Sequence, residues 1–280
     1  PGAMGLSGSS VSRSFVAASA AQLKAFQERD LSAEDYVALL LDGKAFADAT
    51  MVIALGITMS GEKRVLGFIE TDTENQTVLS AFLRLLLERG LDISRGLLVI
   101  IDGGKGLRAA VRKVLAKRAV VQRCMWHKRE NVVSHLPLRD QATWRRRFQK
   151  AMDRPTYAEA RSGLERLVAE LDGINQSAAA SLREGLDEIL TLHRLGVFAQ
   201  LGRSFKTTNC LENVNGLIEE RCAKVDCWKN SNQRHRWLAA ALLEIEPRLR
   251  TVCGHKHLRT LRDALQRELK LERAALSKAA

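Results

Sequence analysis

The chain has 280 residues, 46% of them hydrophobic, with 44 Lys and Arg against 32 Asp and Glu for a formal charge of +12. That length supports one substantial core with an insertion, or two modest domains, and the positive balance favours a polyanionic partner, nucleic acid before an anionic membrane surface. No apolar run approaches the roughly 18 to 20 residues of a spanning helix and no secretory pattern is present, so the expectation is a cytoplasmic protein with no membrane partner; an odd count of five cysteines argues for free thiols.

Residues 1–5 (PGAMG) read as a cloning remnant ahead of a truncated chain. Residues 6–30 are expected to be the end of a helix-turn-helix DNA-binding region. Within its helix, Ser9-Ser10-Val11-Ser12-Arg13 presents the small polar surface of a recognition helix, with Arg13 toward DNA; a frayed amphipathic helix with a Ser-rich start is the alternative. From Tyr36 the pattern changes. Val37 to Leu41 is a continuous apolar run that stops at Asp42-Gly43, as expected of a buried strand with an acid at its end. Strands near 50–58 and 64–70 follow, joined by the tight-turn residues Ser60-Gly61-Glu62-Lys63, which predicts an antiparallel meander.

Thr73 is a candidate cap for a helix through Val78, Leu79, Phe82, Leu83 and Leu86, with Gly90 as its left-handed stop. A second buried strand, GLLVII at 96–101, also ends on an acid, Asp102. Gly103-Gly104 then turns the chain into a helix over 107–116, and 119–122 forms a short fifth strand. Crossover helices between parallel buried strands are expected here. After Cys124 only helical patterns remain: a run from about 126 to 198, then helices near 208–222, 231–244 and 258–275. The predicted class is α/β, with a mixed five-stranded sheet followed by helices, the element order of an RNase H-like core.

Metal-dependent phosphodiester chemistry needs several carboxylates converging on a small volume, because Mg²⁺ takes hard oxygen ligands, and two such ions serve the attacking and leaving oxygens. Asp42 and Asp102, each after an apolar run and each followed by Gly, are the first two candidates; an acid at a strand end is otherwise an ordinary turn residue. The third should come from a helix across the sheet. Glu212 is the best choice there, because it lies beside the apolar stripe Leu211, Val214, Ile218 and away from the solvated pair Glu219 and Glu220.

Four stretches, LLLDGKAF at 39–46, IDGGKGL at 101–107, QRCMWHKRENVV at 122–133 and TTNCLENVN at 207–215, occur in the order found in Mutator-family bacterial insertion-sequence transposases. Over nearly all of its length the chain resembles the catalytic region of that family. The resemblance implies that Asp42, Asp102 and Glu212 fill the Asp-Asp-Glu positions of an RNase H-like core at 31–136 and 206–280, with an all-helical insertion at 137–205. It implies two Mg²⁺ (or Mn²⁺) ions, cleavage at transposon ends, attack by the freed 3′ hydroxyl, and a replicated circular intermediate. DNA (terminal inverted repeats and target) is the implied partner, bound by a homodimer, so the protein would associate with the nucleoid. The rivals are a noncatalytic DNA-binding regulator of transposase descent and a structure-selective nuclease of the same fold.

The family and its eukaryotic relatives carry a Cys or Asp and a His just after the fifth strand, matching Cys124 and His127. These two residues have three readings: half of a zinc site, a buried structural pair, or a catalytic His127 that donates a hydrogen bond or charge to the scissile phosphate while Trp126 stacks on an unpaired base. Basic residues next to aromatic or catalytic segments (Lys44, Lys105, Lys128, Arg129, Lys206 and Arg234) are candidate phosphate contacts.

Overall fold

A computed structural model describes residues 8–71 and 75–271, with side chains from Ser12 onward. The chain opens with helix α1 (Gly8–Glu28), then strands β1 (Tyr36–Phe46), β2 (Ala49–Thr58) and β3 (Lys63–Thr71), helix α2 (Gln76–Glu88), strand β4 (Leu97–Ile101), helix α3 (Lys105–Val114) and strand β5 (Ala119–Arg123). Helices complete it: α4 (Met125–Val133), α5 (Leu138–Met152), α6 (Tyr157–Asp172), α7 (Gln176–Ile189), α8 (Thr191–Arg194), α9 (Phe198–Phe205), α10 (Asn209–Cys222), α11 (Ser231–Ile245) and α12 (Leu258–Leu269).

The five strands form one mixed sheet in the order β3-β2-β1-β4-β5. β1 to β3 are the antiparallel meander expected from the turn residues, and β4 and β5 add in parallel through α2 and α3. Thr73 lies outside the described residues; the cap of α2 is Asn75, whose side chain accepts from Thr77 N. One expectation is corrected. β1 does not stop at Asp42 but runs on to Phe46, because Asp42 to Phe46 pair with the rising arm of β2 from Ile53 to Ala49. The strand that ends is its parallel neighbour β4, whose last registered pair is Leu41 with Ile101.

Alternation decides what each face carries. Ala38, Leu40, Leu98 and Ile100 point into one core shared with Leu211, Val214 and Ile218 of α10. Leu39, Leu41, Val99 and Ile101 point into the other, shared with α2 and α3. Helices α5 to α7 wrap a third core around Trp144, Phe148, Leu164 and Leu182. That helical block is tied to the sheet by buried Gln122 of β5, which donates to Ile189 O and accepts from Leu192 N, and by Thr191, whose hydroxyl donates to Val121 O.

Helix α1 is packed rather than frayed. Ser19, Leu23 and Phe26 are buried, Arg236 of α11 donates to the Ser19 hydroxyl at 3.0 Å, and Phe15 meets Trp237 at 5.4 Å. Arg13 is exposed on this helix.

Candidate active site

Register and alternation together place the first two acids. Leu41 pairs with Ile101, so the next positions, Asp42 and Asp102, stand side by side where β4 ends. Two residues on from Leu40, Asp42 faces the core that α10 covers, and its cross-strand partner Ile53 lies in that same core. Asp42 is buried. Asp102 Oδ1 accepts from Gly104 N at 3.0 Å, which folds the acid over its own turn. That turn needs glycine at 103, where φ is +104° and a Cβ would overlap the Arg123 guanidinium.

Glu212 occupies the first turn of α10, where the helix dipole favours a negative charge. It is exposed, as Glu219 and Glu220 are, so burial does not separate it from them as the apolar stripe suggested; position does. Thr208, at the cap of the same helix, reaches Asp42 with its side chain and lies 3.8 Å from the Cys124 sulfur. The segment after β5 is fastened on two sides: Cys124 N donates to Ile101 O at 2.7 Å and Met125 N to Lys206 O at 2.9 Å. The strand ends, the start of α4 and the start of α10 thus meet at one edge of the sheet.

The electrostatics follow from that crowding. Burial first, then the charge of Asp102 and more weakly that of Glu212, push the Asp42 carboxyl up to about 6, against the pull of His127 and Thr208. His127 is pushed up to about 9, first by the Cys124 sulfur and, against its own desolvation, by Asp42 and Asp102. Its Nδ1 is nonetheless buried without a partner that meets hydrogen-bond geometry; the upward direction rests on sulfur and carboxylates that all favour the cation. Trp126 is 45% exposed and stands edge-on to His127 at 4.8 Å.

Carboxylates match the hard-oxygen preference of Mg²⁺, and Asp42, raised first by burial and then by the charge of Asp102, is a group that a bound cation would favour in its charged form. As the side chains stand, no group of three or more His, Cys, Asp or Glu among the described residues is close enough to hold one ion. Of the three acids, Glu212 on the first turn of α10 is the exposed one.

His127 makes the stability of the metal-free protein depend on pH. Its folded value lies above the ordinary 6.5, so its contribution to stability is fully present below about 6.5 and is lost as pH rises through about 9. The metal-free protein is therefore expected to melt higher at pH 6.5 than at pH 9.5, with a smaller difference in His127→Gln. An unchanged difference in thermal scans of the variant would contradict the assignment.

The basic residues divide. Lys105 is exposed at the start of α3. Lys44, Arg129 and Lys206 are partly accessible but paired with Glu219, Glu130 and Asp153. Lys128 and Arg234 offer no free cation to DNA. Arg234 is buried against Asp48 and Glu70. Lys128 turns inward because it sits on the buried face of α4, where it shares Glu184 of α7 with buried Arg123.

This triad was not anticipated from sequence. It backs the Asp102 turn: a Cβ at Gly185 would come within 2.8 Å of both the Arg123 and the Lys128 side chains, and a cleft of about 330 Å³ beside it is lined by Asp102, Lys105, Arg123, His127 and Glu184. The two cations hold the Glu184 carboxyl down at about 2. Glu184→Ala strands two buried cations, and because Glu184 is itself half exposed the expected loss is about 2 to 3 kcal/mol, below the full buried-pair value. Chemical denaturation checks this; a loss under about 0.5 kcal/mol would mean water replaces the carboxylate freely.

The model of the family described as "Transposase, Mutator family" matches residues 2–249, and the chain belongs to this family of transposases. Among its relatives, the transposase for insertion sequence element IS256 in transposon Tn4001 of Staphylococcus aureus is 28% identical over 256 residues, 86% of this chain and 64% of the relative. The transposase for insertion sequence element IS905 of Lactococcus lactis subsp. lactis is 31% identical over 222 residues, 76% of this chain and 54% of that protein. The transposase for insertion sequence element ISRM5 of Rhizobium meliloti is 29% identical over 231 residues, 79% of this chain and 56% of that protein. The chain thus spans between 54% and 64% of the length of these three. No helix among the described residues is long and apolar enough to cross a membrane.

Proposed function

We propose that this chain is the catalytic region of a DNA transposase with an RNase H-like core, cutting phosphodiester bonds at transposon ends and joining the freed 3′ hydroxyl to target DNA. The observation that carries the reading is the parallel register that sets Asp42 beside Asp102 on the face covered by the Glu212 helix. Asp42, Asp102 and Glu212 would hold one or two Mg²⁺ or Mn²⁺ ions. When bound, these supply an activated oxygen nucleophile and stabilise the leaving oxygen.

The remaining roles belong to the chain itself. His127, cationic at neutral pH because of its neighbours, offers a positive N–H group to a phosphate oxygen as charge develops. Exposed Trp126 stacks against a base that has left its pair, and Lys105 and the accessible faces of Lys44, Arg129 and Lys206 meet flanking phosphates. Binding paired ends makes a homodimer on DNA the expected assembly.

The test is nicking of supercoiled plasmid and joining of a labelled 3′-hydroxyl end, each with Mn²⁺, Mg²⁺ or EDTA. Metal-dependent nicking with end joining is expected. Nicking without joining would reduce the activity to that of a nuclease, and DNA binding with no nicking under any metal would leave only a binding protein.

A further inference from the structure

We propose that the basic cavity beside the Glu212 helix docks the phosphodiester backbone of DNA flanking the reacting strand, an inference that rests on the transposase reading above. The cavity, about 420 Å³, is lined by Lys63 at the start of β3, Arg203 of α9, Arg248 and Arg250 after α11, and the amides Asn209 and Asn213 of α10; none of its described lining residues is acidic. The side chains of Lys63, Arg203 and Arg250 have neither ion pair nor hydrogen bond among the described residues, and Arg248 alone shares Glu244, at 3.4 Å.

Lys44 and Lys206, by contrast, are each answered by an acid. A second basic cavity, between α5 and α6, contains Glu170, which pairs with Arg147. Four cations around one concavity repel one another and focus a positive potential, which a polyanion relieves.

Placement says which polyanion. Asn209 lies one helical turn before Glu212 and Asn213 directly after it, so the cavity opens along the stretch of α10 that carries the third acid. A strand leaving the carboxylate edge along α10 would pass these groups. Guanidinium forks and amide N–H groups match phosphate oxygens without reading bases, so the cavity adds affinity and register but not sequence preference.

Arg203 and Arg250 are exposed and hold nothing in place, so the double variant Arg203→Ala/Arg250→Ala should keep the wild-type melting temperature. Fluorescence anisotropy with a labelled duplex, titrated across salt concentrations without divalent metal, is the measurement. Loss of two phosphate contacts flattens the dependence of log K on log salt by about 1.8 and weakens binding at least about tenfold at moderate salt. Arg203→Lys/Arg250→Lys should restore most of the slope, whereas Lys150→Ala/Arg166→Ala in the second cavity should leave it near the wild-type value.

A wild-type slope in the double alanine variant would overturn the cavity alone. No salt-dependent duplex binding by the wild type would overturn the cavity and the transposase reading together. Wild-type binding with a cavity-dependent slope, but no metal-dependent nicking, would strike the catalytic reading and leave the cavity standing.

Discussion

Asp42→Asn, Asp102→Asn and Glu212→Gln are each expected to abolish plasmid nicking and end joining while leaving the fold intact. An amide has nearly the size of the carboxylate but is a poor ligand for a hard divalent cation, so the effect falls on metal occupancy and not on packing. Asp42 adds a stability signature. Its carboxyl, pushed up to about 6 by burial and by Asp102, is a group whose charged form the folded state disfavours. Above that pH it destabilises the metal-free protein; as pH falls from about 6 toward 4 the native state takes up the proton first and stability rises.

Asn at position 42 removes the charge at every pH. Asp42→Asn should therefore melt higher than the wild type at pH 7.5, by an amount on the order of 2 kcal/mol, and lose the wild-type gain between pH 6 and 4. Added Mg²⁺ should stabilise the wild type and not the variant. Metal-dependent nicking surviving in two of the three variants would remove the three-carboxylate site, and an Asp42→Asn protein destabilised at pH 7.5 would show that hydrogen bonding, with Thr208 for example, outweighs charge there.

The parts of this site legible in sequence are those whose position depends on local periodicity. Apolar runs ending at Asp42 and Asp102 gave two buried strands, turn residues made β1 to β3 a meander, and the stripe Leu211, Val214 and Ile218 marked the buried face of α10 without separating Glu212 from the equally exposed Glu219 and Glu220. The end of β1 was misplaced because the sequence stops being apolar at Gly43, whereas pairing with β2 carries the strand on to Phe46; hydrogen-bond partners, not hydropathy, decide where a hairpin arm ends. Lys128 and Arg234 looked like surface cations because a Lys or Arg on a helix is usually exposed. What turns them inward is an acid far away in the chain, Glu184 for one and Glu70 for the other. Spacing carries no information about such pairs. Arg123 had a weak signal, since it directly precedes Cys124 in a distinctive stretch, but nothing around Glu184 distinguishes it from the other acids of the helical block.

His127→Ala separates three readings of the segment after β5 in a single protein. If the imidazole only packs beside Cys124, the variant loses stability and regains activity on cooling. If it completes a zinc site with Cys124, elemental analysis finds zinc in the wild type and none in His127→Ala or Cys124→Ser. If it faces the scissile phosphate, the folded variant binds DNA and Mg²⁺ nearly as the wild type does but cleaves roughly a hundred to a thousand times more slowly, the usual cost of losing one transition-state donor, about 2.7 to 4 kcal/mol.

The structure gives the third reading its physical basis. The Cys124 side chain first, and then the charges of Asp42 and Asp102, push the ring up to about 9, and it lines the cleft that also contains Asp102 and Lys105. The buried His193 of the helical block differs in direction: its Nε2 lies 2.9 Å from Arg154 O and burial lowers its value. His127 is instead raised by its neighbours, a state suited to an anion that arrives with substrate. The slow, folded, zinc-free variant is therefore the expected result. A properly folded His127→Ala protein cleaving at the wild-type rate would withdraw the phosphate role from His127 and leave the three carboxylates as they stand.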